Sequence, residues 1–262
     1  MANSQETSPI YIQTPIDELT HPDSQSVIDV VSTVHVGSPM YFYSLRNYLE
    51  QRAAEGFVIG AEAIRESSPD SVSEASIRDR LKYRLYMTGV RYSIRGIVRV
   101  EDSDSFTHQY ELDEMLADDP LIPERVNTDV TELDVARNTR YVDLVRGIYS
   151  ANSLYRKLEH AFKKGPADYD QAIYNEISRQ FDARKTELQD RPKRSDRAMV
   201  HDRNQAVLEH IDKLLSKDAA AKIALVWGYG HRRGLVDGIE QRGYKLTRVA
   251  SLTVAFRPHP HP

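Results

Sequence analysis

The chain has 262 residues, of which 40% are hydrophobic and 28% are charged, and its formal net charge is −4 at pH 7. This length and composition predict a soluble α/β protein with a single core. The sequence contains no cysteine, which excludes disulfides and thiolate metal sites and is compatible with a reducing compartment. The mildly acidic balance argues against nucleic acid as the main partner, because phosphate binding requires a concentrated basic face.

The first 25 residues are polar and contain Pro9, Pro15 and Pro22, so we expect a loose arm or an outer covering. No basic start followed by an apolar stretch is visible, which predicts no signal peptide. Nowhere do about 18 apolar residues run together, which predicts no membrane span. We therefore expect a cytoplasmic protein with one domain over residues 26–256.

The first β-α-β unit begins with an apolar run over residues 27–35 that ends in His35. Ser38 and Pro39 then indicate an N-cap followed by proline at the first helical position. A second strand over residues 56–62 ends in Glu62, whose carboxylate needs a partner if it is buried. That partner is either an arginine such as Arg65 or a site shared with His35.

The middle of the chain is predicted to be largely helical. A loop over residues 66–75 precedes a helix over residues 77–87, while residues 92–100 fit either a strand or a helix. Short extended segments are expected at residues 106–111 and 125–130, and His108 is interpreted as a surface histidine. Two amphipathic helices, over residues 133–162 and 167–186, predict a helical insertion at about 133–190, and a charged linker follows at residues 190–197.

The last part of the chain repeats the arrangement of the first unit. A helix over residues 196–216 carries Arg203 and Asn204 on or beside its apolar face, where polar groups need partners. A strand over residues 221–227 leads into Gly228-Tyr-Gly-His231, followed by a helix to residue 242 and an extended segment over 244–256. The tail, residues 257–262, is expected to be disordered and could bind metal adventitiously through its two histidines.

Both units are thus predicted to have the same order of elements: a strand, a histidine loop, a helix and a second strand. Ligands of open α/β sheets bind at the carboxyl ends of the strands, so we expect His35 and His231 to meet at one edge. The predicted fold is a three-layer α/β/α arrangement with two β-α-β halves, each carrying a histidine loop, and a helical insertion.

These motifs resemble those of the TraB/TIKI family, which includes pheromone-shutdown TraB and GumN-like proteins. The resemblance rests on Thr33-Val-His35-Val-Gly, the strand ending in Glu62, Arg203-Asn204 and Gly228-Tyr-Gly-His231. The family belongs to a wider group with erythromycin esterases and ChaN-like proteins, and its hallmark is two Gly-x-x-His motifs. The second motif is complete here, whereas Ser32 stands where the first usually has glycine.

The resemblance implies a metal-dependent hydrolase, specifically a peptidase, that acts on a peptide or another small amide or ester. His35, Glu62 and His231 would be its catalytic residues and metal ligands, with manganese or cobalt as the ion and zinc as an alternative. Arg203, Asn204 and Tyr229 are the candidate substrate-binding residues. Two alternatives stay open: a metal-independent esterase-like hydrolase in which a histidine is the base, and a non-catalytic binding protein.

Overall fold

The protein is built on a sheet whose strands lie in the order Phe57–Ala61, Lys222–Gly228, Val27–Thr33, Tyr11–Thr20 and Lys245–Phe256. A computed structural model describes residues 11–61, 63–65, 67–98, 103, 105–108, 127–187 and 200–256. Its strands are β1 (Tyr11–Thr20), β2 (Val27–Thr33), β3 (Val36–Gly37), β4 (Phe57–Ala61), β5 (Ala63–Arg65), β6 (Thr107–His108), β7 (Asn127–Thr131), β8 (Lys222–Gly228) and β9 (Lys245–Phe256). Strands β3 and β6 form one separate pair and β5 and β7 another.

The helices are α1 (Pro39–Ala54), α2 (Pro69–Glu74), α3 (Ile77–Val98), α4 (Glu132–Asn138), α5 (Tyr141–Lys164), α6 (Pro166–Glu187), α7 (Asp202–Lys217) and α8 (Arg232–Glu240). A single 3₁₀ turn, Tyr229–His231, joins β8 to α8. The predicted N-cap is confirmed, because the Ser38 side chain accepts a hydrogen bond from the Tyr41 amide and Pro39 follows it.

Helices cover both faces of the sheet, which confirms the predicted α/β fold. Alternate residues of β8 divide between the faces: Ala224 and Val226 pack on one side with α1, α5 and α6, whereas Leu225 and Trp227 pack on the other with α7 and α8. Strand β8 lies between β2 and β4 and is parallel to both. Strand β1 is antiparallel to β2 and to β9, so β9 also runs in the direction of β8.

The predicted N-terminal arm is wrong for residues 11–20, which form β1 inside the sheet. The alternation of Ile12, Thr14 and Ile16 buries one face of this strand. Pro15 is tolerated because the pairing of β1 with β2 begins only at Ile16. A proline there leaves no hydrogen bond missing on the β2 side, whereas on the other side it lies opposite Ser251 of β9.

The helical insertion is confirmed in outline, but its first predicted helix is two helices. Helix α4 ends before Thr139, whose extended backbone interrupts the helical path, and α5 begins at Tyr141. Helix α3 reaches Val98, so the undecided segment is helical as far as residue 98. The linker at residues 190–197 and the tail at 257–262 lie outside the described residues. In the part of the chain that is described, no helix has the length and hydropathy needed to cross a bilayer.

The Tyr41 phenol provides a test of this packing through alkaline unfolding. Tyr41 is 1% exposed under β2, and burial raises its pKa to about 12. The unfolded chain loses this proton near pH 10 while the folded chain retains it, so stability falls as the pH rises from 10 to 12. Two pKa units correspond to about 2.7 kcal/mol at 25 °C.

We expect Tyr41→Phe to reduce the loss of unfolding free energy between pH 9 and pH 12 by about 2–3 kcal/mol, measured by urea titration. Tyr43→Phe is the control, because Tyr43 lies on the same helix and is 60% exposed. The same alkaline slope in Tyr41→Phe and in the parent would contradict the prediction.

Candidate active site

His231 lies where β8, a strand inside the sheet, passes into helix α8. Strand β8 ends at Gly228, the 3₁₀ turn follows, and α8 begins directly after His231. The side chain is buried, with 6% exposure, on the side of the sheet covered by α7. The loop thus occupies the carboxyl end of a parallel strand, as predicted, which is where α/β sheets bind ligands.

Asn204 of α7 holds His231 at two points. Its side-chain nitrogen donates to the His231 carbonyl oxygen at 3.2 Å, and its Oδ1 lies 2.7 Å from His231 Nδ1. A carbonyl can only accept, so the amide nitrogen must face it and Oδ1 must face the ring. Nδ1 therefore carries a proton, and in the neutral imidazole the lone pair is on Nε2.

Arg203 lies on the other side of the imidazole. Its guanidinium is buried, with 3% exposure, and Nη1 is 3.5 Å from His231 Nε2. A guanidinium has only donors, so this contact requires the lone pair that the Asn204 contact leaves on Nε2. The predicted interior positions of Arg203 and Asn204 are confirmed, and the structure brings both to His231.

Close packing of α7 against α8 makes this arrangement possible, and two glycines of α8 permit it. A Cβ at Gly234 would lie 2.3 Å from Asn204 Nδ2, and a Cβ at Gly238 would lie 2.4 Å from Leu208 Cδ1. Gly234 was not among the residues predicted from the sequence to belong to the site. Two glycines four residues apart inside a helix were the available signal, because such positions lie on one face and indicate a close neighbour.

The other predicted metal ligands are less well placed by the structure. His35 is exposed and lies between β2 and β3, and its loop leaves the sheet beside the His231 loop because Thr33 pairs with Gly228. Glu62 lies outside the described residues, although the strand before it pairs with β8 as far as Ala61 and Val226. The three segments share one edge, while convergence of their side chains stays a prediction.

The residues around His231 fit a divalent ion only in part. The bond from Nδ1–H to Asn204 is the kind of outer contact that orients a metal-bound histidine. The guanidinium of Arg203 faces the nitrogen that would bind the ion, and two cations there would repel each other. Within the described ranges, no group of three or more His, Cys, Asp or Glu side chains could hold a metal.

Tyr229, the remaining predicted substrate-binding residue, is half-buried beneath the helical insertion. Its ring lies 4.9 Å from that of Phe181 on α6, with a tilt of 31° between the planes. Because Phe181 is itself buried, this contact joins the insertion to the histidine loop. The end of α6 therefore borders the candidate site.

Glu132, a carboxylate that was not singled out from the sequence, interacts with two tyrosines of α3. Burial is the main cause that raises the pKa of Tyr86, while the Glu132 carboxylate raises it further and Arg203 lowers it. The Tyr83 hydroxyl donates to Glu132 Oε2 at 3.1 Å. Tyr86 of α3 thus lies within electrostatic range of both Glu132 and Arg203.

Comparisons of the chain with protein-family models, with curated proteins and with solved structures found no match. The TraB/TIKI resemblance therefore rests on the motifs alone.

Proposed function

We propose that the protein is a hydrolase of a peptide or another small amide or ester, with His231 as its base and Arg203 as its anion-binding group. The observation that carries the proposal is the setting of the buried His231 ring: Asn204 Oδ1 lies 2.7 Å from Nδ1, and Arg203 Nη1 lies 3.5 Å from Nε2. The ring is thereby oriented with a basic nitrogen beside a permanent cation. That combination suits the addition of water to a carbonyl group.

The first step follows from the two contacts. His231 Nε2 takes a proton from a water molecule while the water oxygen bonds to the carbonyl carbon of the substrate, and the π electrons move to the carbonyl oxygen. The oxyanion that forms accepts a hydrogen bond from Arg203 and is balanced by two positive charges, imidazolium and guanidinium. The contact at 3.5 Å is long for a hydrogen bond, so Arg203 can exchange it for the oxyanion.

The second step returns the proton. The oxyanion collapses, the bond to the leaving nitrogen or oxygen breaks, and His231 gives its proton to that atom, which leaves a carboxylic acid and an amine or alcohol. Tyr229 of the histidine loop and Phe181 of α6 would bound the substrate on one side.

The metal-dependent version is the second candidate, and the oriented Nδ1–H of His231 favours it. His35, Glu62 and His231 would hold manganese or cobalt, or alternatively zinc, as the TraB/TIKI resemblance implies. A divalent ion bound there would acidify a water molecule and polarise a carbonyl group. Arg203 would then have to turn from Nε2 toward the substrate.

The deciding experiment for hydrolysis uses a library of short peptides and esters with the parent and two arginine variants. We expect Arg203→Met to lower kcat/KM by about 10²–10³-fold, because the oxyanion loses its donor. Arg233→Met is the matched control, since its side chain is 58% exposed and neighbours the same loop. Unchanged turnover in Arg203→Met, or turnover that survives His231→Ala, would rule out the proposed roles.

The two versions are separated by a metal titration of protein lacking residues 257–262, so that the tail histidines cannot contribute. Metal-stripped parent, His35→Ala and His231→Ala are titrated with manganese, cobalt and zinc while Tm is followed. A ligand that binds only the native state raises Tm by mass action. If a metal raises the Tm of the parent but not that of either variant, His35 and His231 share an ion. If no metal raises the Tm of the parent, the version in which His231 is a metal-free base is supported. Binding of peptides without turnover would instead favour the non-catalytic alternative.

A further inference from the structure

The residue that follows His231, Arg232, forms an ion pair with Asp17 of strand β1. Asp17 of β1 is fully buried, and its carboxylate accepts two hydrogen bonds from Arg232: Oδ2 lies 2.6 Å from Nε and Oδ1 lies 2.7 Å from Nη2. Arg232 is the first residue of α8 and follows His231 in sequence. A bidentate pair of this kind holds both groups in one geometry.

Asp17, the partner of Arg232, is held in place by the sheet. Asp17 lies within β1, where it pairs with Val30 of β2 and with Val249 of β9. The hydrogen bonds from Arg232 to Asp17 also raise the pKa of Arg232. The loop before His231 contains two glycines, which allow more backbone conformations than other residues. The position of His231 therefore depends on what holds the start of α8.

We propose that Asp17 is a positioning residue for His231: by fixing Arg232, it keeps the imidazole where Asn204 can bind both its carbonyl oxygen and its Nδ1. The inference rests on the proposed role of His231 as the reacting residue. Helix α7 holds the histidine through Asn204, and strand β1 holds the next residue through Arg232. Asp17 also neutralises a guanidinium that would otherwise lie beside the site and compete with Arg203 for an anionic substrate.

The test must separate positioning from folding, because breaking a buried ion pair destabilises a protein whatever else the pair does. Asp17→Asn keeps the shape of the side chain and removes its charge. The double variant Asp17→Leu/Arg232→Met replaces both partners with apolar groups, a change that often leaves stability unharmed. Arg232→Lys keeps both charges and loses the bidentate geometry.

The readout is the tautomer of His231 in the metal-stripped full chain, measured by long-range ¹H–¹⁵N correlation spectra after ¹⁵N-histidine labelling. The resonance is identified by its loss in His231→Gln. We expect the parent to hold the proton on Nδ1. In the double variant, the population of the Nε2–H tautomer should rise roughly five- to tenfold, the equivalent of one lost hydrogen bond, even where the urea midpoint matches that of the parent. Arg232→Lys, which keeps both charges, should keep much of the parent spectrum.

Parent-like spectra of His231 in both Asp17→Asn and the double variant would overturn the inference and leave the pair a structural one. The measurement needs neither substrate nor metal. Failure of the proposed function would instead appear as a parent without turnover on any substrate, whatever the tautomer spectra show.

Discussion

Arg52→Met is expected to lower the free energy of unfolding by about 3–5 kcal/mol at pH 7, because it leaves a buried carboxylate without its counter-charge. Arg52 lies in the last turn of α1 and binds three carboxylates: Nε lies 2.8 Å from Asp29, Nη2 lies 2.8 Å from Glu18 and Nη1 lies 2.7 Å from Glu55. The Asp29 side chain has 0% exposure, and it also accepts a hydrogen bond from the Tyr48 hydroxyl at 2.6 Å. Methionine would remove every charge contact, including that of the guanidinium 4.7 Å from the centroid of the Phe57 ring, and would keep an apolar side chain at this position.

The effect of pH gives the prediction a second test. Burial raises the pKa of Asp29, while Tyr48 and Arg52 oppose that rise. In the variant the opposition from Arg52 is lost, so the pKa of Asp29 in the folded chain rises further above its value in the unfolded chain. A carboxyl whose folded pKa is raised destabilises the fold above that pKa and ceases to do so as the pH falls through it. The deficit of Arg52→Met should therefore shrink from pH 7 toward pH 4.

Arg46→Met is the matched control, since Arg46 lies on the same helix and pairs with Glu50 at 2.6 Å. Both side chains of that pair are exposed, at 43% and 38%, so we expect a loss of about 0.5 kcal/mol or less. Urea unfolding of both variants at several pH values makes the comparison. Equal losses in the two variants would show that the buried network contributes nothing beyond a surface pair.

Gly234→Ala should disable the candidate site while the fold is kept. The added Cβ would lie 2.3 Å from Asn204 Nδ2, so the amide must turn away and give up both hydrogen bonds to His231. Loss of these buried hydrogen bonds costs about 1–3 kcal/mol, against a gain of about 0.5–1 kcal/mol for alanine over glycine in a helix. We expect a modest net destabilisation, measured by urea titration. We also expect loss of the single Nδ1–H tautomer, measured by the histidine spectra.

Two control variants separate displacement of Asn204 from the general effects of replacing a helical glycine by alanine. Gly147→Ala on α5 meets nothing within 4 Å, so it should be stabilised by about 0.5–1 kcal/mol. Gly238→Ala on α8 meets the buried Leu208 side chain, so it should lose stability by overpacking and keep the His231 tautomer. An unchanged His231 spectrum in Gly234→Ala would show that Asn204 does not set the tautomer.

The local pattern of the sequence was sufficient for the fold class and for much of the histidine loop. Apolar runs that end in turn residues predicted β2, β4 and β8, and Ser38-Pro39 predicted the start of α1, because hydrophobic period and capping act over neighbouring residues. Arg203 and Asn204 stood out because polar groups on an apolar helix face must find partners. Which partners they would find was outside the reach of local pattern.

Only the tertiary structure determined which residues distant in sequence contact one another. Residues 11–20 read as an arm because Pro15 and neighbouring polar residues weaken the strand pattern, yet pairing with β9 makes them part of the sheet. That pairing brings Asp17 to Arg232, 215 residues away in sequence. The approach of α7 to α8 likewise brings Asn204 and Arg203 to His231 and gives Gly234 its role. Periodicity describes which face of an element is buried, whereas the partner on that face depends on the packing of the whole chain.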